Sequence, residues 1–306
     1  MKFGNYILLI SLFLFFQACC PAKKQEASQP FAQHVILVGF DGWGAYSVPK
    51  ADMPNLKALM ADGSYTLKKR SVLPSSSAVN WASMFMGAGP ELHGYTTWGA
   101  RKPELPSRVL THYGIFPSVF GLLRDTRPES KIGYIYEWDG MKYLAEMQVM
   151  DFEMEIKNYK QNPDTTAIVA CNYIREEKPN LLAVIIAEPD ETGHGPGHDA
   201  PEYYEILKKL DKYLGQIIQA VKDAGIYDET IFIVTSDHGG IGKGHGGKTM
   251  TEMETPFIIA GKNVKKGFEF DESMMQFDVA ATIASIFALQ SPQVWIGRPM
   301  KQVFTK

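Results

Sequence analysis

The chain has 306 residues, of which 45 % are hydrophobic and 21 % are charged, and this composition is typical of a globular protein with a large core. It excludes a disordered chain, a coiled coil and a collagen. The formal net charge of −3 gives no indication of a nucleic-acid partner, and three cysteines are too few for a disulfide framework.

Residues 1–18 are predicted to be an export signal. The apolar run Ile7–Phe16 suits the hydrophobic region of a signal peptide, which takes about 7–15 residues, and is too short for a spanning helix of about 20. Ala18 and Cys19 follow, and this stretch resembles a bacterial lipobox, which implies lipidation of Cys19. The alternative is an ordinary signal peptide cut near Ala18.

The polar residues 19–30 are predicted to be a tether between this anchor and the folded domain. We therefore expect an exported protein, in the periplasm or at the cell surface, that is held to the membrane through a lipid anchor at Cys19. Residues 31–306 are expected to form a single catalytic domain.

Buried strands alternate with helices along this domain. The predicted elements, in chain order, are a strand at His34–Phe40, helices at Pro54–Met60, Ala78–Met86 and Pro117–Arg124, a strand at Lys131–Tyr136, a helix at Asp164–Glu177, a strand at Leu181–Ala187, a helix at Pro201–Ala224, strands at Thr230–Thr235 and Pro256–Ala260, and a helix at Phe277–Leu289. This alternation predicts an α/β fold with a mostly parallel central sheet flanked by helices. A small cap at about 91–164, rich in Tyr, Trp and Met, is expected to shape a pocket.

Acidic residues follow three of the predicted strands directly. Asp41 comes after the first strand, Asp190 lies just beyond the strand that ends at Ala187, and Asp237 follows the strand that ends at Thr235. Because ligands in open α/β sheets bind outside the carboxyl ends of the strands, we expect these carboxylates to converge at one edge of the sheet.

Histidines accompany two of these acids. His194 lies four residues after Asp190, His238 is adjacent to Asp237, and His245 follows in a glycine-rich loop. An isolated histidine is more often an ordinary loop or core residue, but carboxylate and imidazole together form a good zinc-binding set. The other four histidines are expected not to bind metal, although His198 is the one among them with the strongest claim to a functional role. They are His34, His93, His112 and His198.

Four segments in this order resemble the alkaline phosphatase superfamily, in particular its type I phosphodiesterase/nucleotide pyrophosphatase branch. They are GFDGW, PSSSAVNWASMFMGAGPELHG, EPDETGHGPGHD and SDHGG. The resemblance implies two zinc ions, with other divalent metals as alternatives. It implies that one ion is held by Asp41, Asp237 and His238 together with the nucleophile, and the other by Asp190, His194 and a third histidine, for which His245 is the candidate.

The resemblance also implies a serine nucleophile. In related sequences this residue lies three positions before an Asn or four before a Trp, and Asn80 and Trp81 both then indicate Ser77 rather than Ser75 or Ser76. The helix predicted to follow would place Ser77 at a helix N-terminus, where backbone N–H groups favour a phosphoryl group. Ser77 as a simple helix cap is the alternative. The implied reaction is hydrolysis of a small phosphate ester through a phosphoseryl intermediate.

One position departs from the pattern of this family. The loop after His-Gly often carries a phosphate-binding Asn there, whereas this chain has Trp98. Asn80, the candidate for substrate binding, or Arg101 or Lys243 would have to replace it. Hydrolysis of phosphate monoesters or sulfate esters on the same metal core is therefore an alternative, although the C/S-x-P-x-R motif of sulfatases is absent.

Other classes of protein are less consistent with the sequence. Residues 242–249 match the P-loop pattern G-x-x-x-x-G-K-[ST], but no strand directly precedes them and Pro256 soon follows, so nucleotide binding at this motif is not expected. An inactive metal-stabilised binding protein would not need the serine nucleophile. A transferase or mutase on the same core is a further alternative, although a mutase would need a large inserted domain.

Overall fold

A computed structural model describes Met1 and residues 29–305. The predicted signal peptide beyond Met1, the lipidation site Cys19 and most of the tether therefore lie outside the described residues. Within the described part of the chain, no helix combines the length and the apolar character that crossing a bilayer requires.

A single sheet of eight strands forms the centre of the domain, in the order β4-β3-β5-β1-β6-β7-β2-β8. The strands are β1 (His34–Asp41), β2 (Gly63–Arg70), β3 (Ile132–Tyr136), β4 (Phe152–Glu155), β5 (Leu181–Pro189), β6 (Thr230–Thr235), β7 (Glu254–Gly261) and β8 (Phe268–Glu269). Strands β4, β3, β5, β1 and β6 are parallel, and β7 runs antiparallel to both β6 and β2. The predicted α/β fold with a mostly parallel sheet is confirmed.

Helices cover both faces of this sheet. They are α1 (Pro54–Ala61), α2 (Ser77–Met86), α3 (Pro90–His93), α4 (Val119–Thr126), α5 (Thr165–Glu177), α6 (Asp190–His194), α7 (Pro201–Asp223), α8 (Met250–Met253) and α9 (Asp278–Ile286). Short 3-10 turns lie at Ala45–Ser47, Asp139–Tyr143, Met147–Val149, Tyr227–Glu229 and Lys301–Val303.

Two separate cores result from the alternation of side chains along the strands. Val35 and Leu37 of β1 point to the core formed with α2, α4 and α9, whereas Ile36 and Val38 point to the core formed with α1, α5 and α7. A central strand that is buried on both faces has to be apolar at every position, and this requirement explains the continuous apolar runs in the sequence.

Strands β2, β4 and β8 were absent from the sequence-based prediction. β2 reads GSYTLKKR, and its charged end hides the strand pattern. Lys69 in this strand is nevertheless fully buried, because its Nζ donates to the Ser236 carbonyl oxygen at 2.8 Å. β4 has four residues and β8 has two, so neither is long enough to show a period.

The segment at about 91–164, expected to be a cap, is divided in the structure. Strands β3 and β4 extend the central sheet, and Val119 and Phe120 of α4 pack into its core. Helix α4 begins later than predicted because Ser118 is its N-cap, and the Ser118 side chain accepts from the N–H groups of Phe120 and Gly121. The loops at about 94–118 and 137–150 remain outside these elements.

Strand order places the predicted site residues side by side. β1 lies between β5 and β6, so the carboxyl ends of these three parallel strands are neighbours. The pairing of β1 with β5 shifts between Phe40 and Asp41, at the point where the chain leaves the sheet. The acidic residues that follow the three strands therefore converge at one edge, as the sequence predicts.

Candidate active site

Three buried carboxylates lie at this edge of the sheet. Asp41, Asp190 and Asp237 are 5 %, 9 % and 0 % exposed. Gly42 permits their close approach, since it adopts a φ of +69° and a Cβ at this position would lie 2.6 Å from the Asp190 Cβ. Any larger side chain at position 42 would collide with Asp190.

Three histidines face these carboxylates, and each is oriented by a backbone carbonyl. Nδ1 of His194 donates to the Lys243 oxygen at 3.0 Å, Nδ1 of His238 to Gly239 at 2.8 Å and Nδ1 of His245 to Ser75 at 3.1 Å. A donating Nδ1 leaves Nε2 as the free lone pair in the neutral ring, which is the tautomer that a metal ligand needs.

The free Nε2 atoms lie close to the carboxylates. Nε2 of His194 is 3.1 Å and that of His245 is 3.7 Å from Asp190 Oδ2. Nε2 of His238 is 3.4 Å from Asp41 Oδ1 and 3.3 Å from Asp237 Oδ2. These six side chains form what we call the ligand cluster: Asp41, Asp190, Asp237, His194, His238 and His245.

The ligand cluster has the donors that a pair of divalent metal ions would use. Two groups in it bring one ligand atom from each member within 4.8 Å of the others: Asp190 with His194 and His245, and Asp41 with Asp190 and His238. Asp237 Oδ2 and Asp190 Oδ1 are buried and accept no hydrogen bond within the described residues. Buried carboxylate oxygens without partners are costly, so the site fits cations. The two predicted sets of metal ligands therefore lie next to each other, and Asp190 belongs to both of these groups.

Ser77 is the serine that faces the ligand cluster. Its Oγ lies 3.2 Å from His238 Nε2 and 3.4 Å from Asp41 Oδ1, and it is the first residue of α2. Ser76 is the N-cap residue of α2, so the alternative of Ser77 as a cap is wrong. Ser75 Oγ instead donates to the Gly247 carbonyl oxygen at 2.6 Å, and Ser76 Oγ has no partner in the described chain.

Asn80 lies below the site rather than in it. Its Nδ2 donates to the carbonyl oxygens of Val72, Pro74 and Ser76, and its Oδ1 accepts from the Val72 N–H. The amide is fully buried and saturated by these contacts with the loop before Ser77. The Asn80 amide therefore has no free group with which to make the expected contact with substrate, and it instead positions the loop before Ser77.

Arg101 and Lys243, the other two candidates to replace the phosphate-binding Asn of the family, also lie outside the cavity lining. Arg101 pairs with Asp139 at 2.8 Å and lies over the Tyr143 ring. Lys243 contributes its carbonyl oxygen to His194. Neither side chain lines the cavity at the ligand cluster.

The glycine-rich loop that carries His245 is fixed by Glu252. The Glu252 carboxylate accepts from the N–H groups of Gly247 and Thr249 and from the Thr249 hydroxyl. The bond from the Thr249 N–H is half of a capping box for α8, in which the Thr249 side chain in turn accepts from the Glu252 N–H. The P-loop pattern lies in this loop, but α8 has only four residues and leads directly into β7. The loop therefore positions a histidine and lacks the long helix of a P-loop.

His198 lies directly behind the ligand cluster. Its ring is fully buried, and Nε2 is 3.6 Å from Asp190 Oδ1. A Cβ at Gly193 would lie 2.4 Å from this ring and one at Gly240 would lie equally close, so two glycines make the space for it. The prediction that His198 does not bind metal stays a prediction, and its contact with Asp190 is of the kind that orients a ligand.

A cavity of about 800 Å³ opens above Ser77 and the ligand cluster. Its walls include Thr96, Thr97, Trp98, Trp138 and Glu191. Trp138 was not among the predicted site residues. It follows β3 at the same edge of the sheet as the three acids, so the rule that sites form at carboxyl ends of strands could have indicated it.

Burial and mutual repulsion change the pKa values in the ligand cluster. Burial, and then the neighbouring Asp237 and Asp190, raise the pKa of Asp41, and burial with the charge of Asp190 raises the pKa of Asp237 to about 8. Burial lowers the pKa of His238 to about 3, whereas the hydrogen bond with Asp190 raises the pKa of His194 to about 9. Burial opposes ionisation of Asp190, but the hydrogen bond with His194 and the charges of His238 and His245 outweigh it and lower its pKa to about 2.

The α/β fold and the ligand cluster together define an alkaline phosphatase-like protein. A structure of murine ectonucleotide pyrophosphatase/phosphodiesterase 5, an inactive variant in complex with AMP, matches with a TM-score of 0.68 at 18 % sequence identity, over 85 % of this chain and 96 % of that one. At this identity the match establishes the fold alone.

The sequence comparisons establish the family. The model of the family "type I phosphodiesterase / nucleotide pyrophosphatase" matches residues 35–113 and 131–261, and the chain belongs to this family. Human ectonucleotide pyrophosphatase/phosphodiesterase family member 5 is 26 % identical over 239 residues, which are 76 % of this chain and 49 % of the relative. Rat family member 7 is 26 % identical over 255 residues, 77 % of this chain and 56 % of the relative. The chain thus spans about half the length of these relatives.

Without metal, the protein is expected to lose stability as the pH rises from 7 to 8. The folded-state pKa values of Asp237, about 8, and His194, about 9, exceed the unfolded values of roughly 4 and 6.5. The stability that these groups contribute is complete below the unfolded pKa and is lost as the pH rises through the folded pKa. Asp41 acts in the same sense. Lys69 acts in the opposite sense, because burial lowers its pKa to about 7 and its contribution to stability therefore increases as the pH rises, but it is a single group.

Thermal unfolding in EDTA at pH 7 and pH 8 measures this effect. Buried histidines with lowered pKa values do not interfere, because their unfolded forms are already mostly neutral at pH 7. With excess Zn²⁺ the same comparison should show no decrease, since metal binds the deprotonated ligands and binding strengthens as the pH rises. An equal decrease with and without Zn²⁺ would contradict the assignment of the ligand cluster as a metal site.

Proposed function

We propose that this protein hydrolyses phosphodiesters, with Ser77 as the nucleophile, at a centre of two zinc ions held by the ligand cluster. The observation that carries the proposal is the position of Ser77 Oγ, at the N-terminus of α2 and within 3.4 Å of both Asp41 and His238. Membership of the type I phosphodiesterase/nucleotide pyrophosphatase family supports this reaction class.

The assignment of ligands follows the two halves of the cluster. Asp41, Asp237 and His238 would hold one ion, with Ser77 Oγ as a further ligand, and Asp190, His194 and His245 would hold the other. When bound, two Zn²⁺ ions offset the three buried carboxylates, lower the pKa of the Ser77 hydroxyl and stabilise negative charge on the phosphoryl oxygens.

The residues of the chain then carry out a displacement in two stages. Ser77 Oγ forms a bond to phosphorus while the bond from phosphorus to the leaving oxygen breaks. The Ser77 proton passes to solvent, and the leaving oxygen takes up a proton from solvent. Backbone N–H groups at the start of α2 favour the negative phosphoryl oxygens of the phosphoseryl intermediate. Water then attacks phosphorus and releases Ser77 with a phosphate monoester as product.

The charges of the cavity favour a diester over a monoester or a more highly charged substrate. No Lys or Arg occurs among the residues that line the described cavity. The phosphoryl group of a monoester carries one more negative charge than that of a diester, and no lysine or arginine of the lining would be available to pair with it. Hydrolysis of phosphate monoesters or sulfate esters is the second candidate, because Trp98 replaces the phosphate-binding Asn expected from the family.

The size of the cavity and one structural relative support a small organic ester as substrate. A volume of about 800 Å³ is sufficient for a nucleotide-sized group. Murine ectonucleotide pyrophosphatase/phosphodiesterase 5 has been determined with AMP. We propose a small phosphate ester as the partner, with no nucleic acid as a stable partner.

Replacing Ser77 by Ala is expected to reduce kcat for bis(p-nitrophenyl) phosphate by about 10³-fold or more, since covalent catalysis would be lost. The fold should persist because Ser76, not Ser77, occupies the N-cap, and Ala is a good helix residue. The matched control is Ser76→Ala, which removes a neighbouring hydroxyl that has no partner in the described chain and should lose far less activity. Near-normal turnover by Ser77→Ala would exclude the serine mechanism.

Replacing His245 by Ala is expected to remove one of about two zinc ions per chain, because the Nε2 lone pair of this histidine faces Asp190 and would bind the metal. Elemental analysis after dialysis measures the zinc content, and circular dichroism verifies the fold. His112→Ala is the control, since this histidine is exposed and pairs only with Asp125. Full zinc content in the His245→Ala protein would show that His245 is not a ligand.

We also propose that the protein is exported and anchored at Cys19, on the basis of the apolar run and the lipobox-like sequence in residues 7–19. Wild-type protein expressed in a bacterium with lipoprotein processing should partition into the detergent phase of a Triton X-114 extraction. Cys19→Ala should shift it to the aqueous phase, because the acylated cysteine would be lost. Recovery of unmodified wild-type protein in the aqueous phase would contradict the anchor.

A further inference from the structure

An exposed pair of tryptophans forms one wall of the cavity above Ser77. The rings of Trp98 and Trp138 are stacked, with centroids 6.5 Å apart and an interplanar angle of 24°. Trp98 is 67 % exposed although it lies in a cavity. Because most of this indole is not covered by the protein, its surface beside the nucleophile is available to a ligand.

Both tryptophans are held in place relative to the nucleophile. The N–H of Ala78, the residue after Ser77, donates to the Trp98 carbonyl oxygen at 3.0 Å. The Trp138 ring covers Gly140 so closely that a Cβ there would lie 2.2 Å from it. The backbone of Trp98 is therefore fixed by α2, and its ring lies against that of Trp138, which close packing on Gly140 holds in place.

The polar side chains next to the two tryptophans, those of Glu191, Thr96 and Thr97, already have hydrogen-bond partners within the protein. The Glu191 carboxylate accepts from Lys160 at 2.6 Å and from Tyr159 at 3.0 Å. Both threonine hydroxyls of the wall, those of Thr96 and Thr97, donate to Glu104 at 2.5 Å. With these groups already partnered, the surface presented beside Ser77 is a flat aromatic face.

We propose that Trp98 is a specificity-determining residue, which stacks with an uncharged aromatic ring, aryl or heteroaryl, in the organic group of the phosphate ester. This inference rests on the proposed function and narrows its substrate class. Stacking on an indole face is selective for flat π-systems and tolerant of their substituents, whereas an added negative charge on the ring would lie in a cavity that has no lysine or arginine among its described lining residues.

Binding of simple monoesters, each with a single organic group, tests the proposal. Zinc-loaded wild-type protein should bind phenyl phosphate about tenfold more tightly than methyl phosphate by isothermal titration calorimetry. It should also prefer phenyl phosphate to cyclohexyl phosphate, which has similar size without a π-face. An added ring carboxylate, as in 4-carboxyphenyl phosphate, should weaken binding.

Variants at position 98 identify the residue responsible. Trp98→Ala should bring the dissociation constants for phenyl and methyl phosphate to within about twofold of each other, and Trp98→Phe should retain the preference for the aromatic ester. Leu110→Ala, at another exposed apolar residue outside the cavity, is the matched control and should retain the wild-type ratio. Because Trp98 is largely exposed, these variants should fold normally.

The outcomes separate this inference from the proposed function. Equal phenyl-to-methyl ratios in the wild type and Trp98→Ala would overturn the stacking role even if bis(p-nitrophenyl) phosphate is hydrolysed. Tighter binding of phosphocholine than of phenyl phosphate, lost in Trp98→Ala, would also overturn it in favour of a cationic group. The expected ranking without any turnover of the diester would instead overturn the proposed reaction and leave the aromatic site in place.

Discussion

The arrangement of the site depends on the burial of three carboxylates at the carboxyl ends of adjacent parallel strands. Asp41, Asp190 and Asp237 are nearly inaccessible, and burial, with mutual repulsion as the smaller cause, disfavours ionisation of Asp41 and Asp237. Trp81 Nε1 donates a hydrogen bond to Asp41 and the Gly42 N–H donates one to Asp237, and both bonds favour the ionised carboxylates. They compensate the cost of burial only in part, because Asp190 Oδ1 and Asp237 Oδ2 have no partner within the described residues. A fold that retains such a cluster needs positive charge at its centre, and divalent cations supply it in the smallest volume.

The histidines are arranged to serve that centre. Each of the three directs a fixed lone pair inward because a carbonyl oxygen accepts from its Nδ1. Two of these carbonyl groups, those of Gly239 and Lys243, belong to the loop after β6, and the third, that of Ser75, lies before α2. The loop of His245 is itself fixed by Glu252. The geometry of the ligands therefore depends on backbone positions that the whole sheet determines, and a local change in any one loop would misorient a ligand.

The sequence was sufficient to predict the central strands of the sheet and the convergence of the three acids beside them, because both leave a local signal. Continuous apolar runs indicated β1, β5 and β6, and the acids directly after them indicated the site. It was not sufficient where tertiary contacts override the local pattern. The charged strand β2 forms because buried Lys69 finds carbonyl and amide partners across the fold. Asn80 matched a binding residue by type, but its saturation by backbone groups is visible only in three dimensions.

The ligand cluster and the cavity wall are subject to different constraints. Every member of the cluster contacts another member, so a substitution at one leaves a buried charge or donor unpaired at the next. Trp98 contributes little buried surface to the fold, and its backbone carbonyl, which any residue could supply, makes the contact with Ala78. The fold therefore makes few demands on this side chain, whose ring contacts that of Trp138. The proposed contact with the ligand accounts for a large exposed indole at this position, and under that proposal the cavity wall, rather than the ligand cluster, determines selectivity for the organic group.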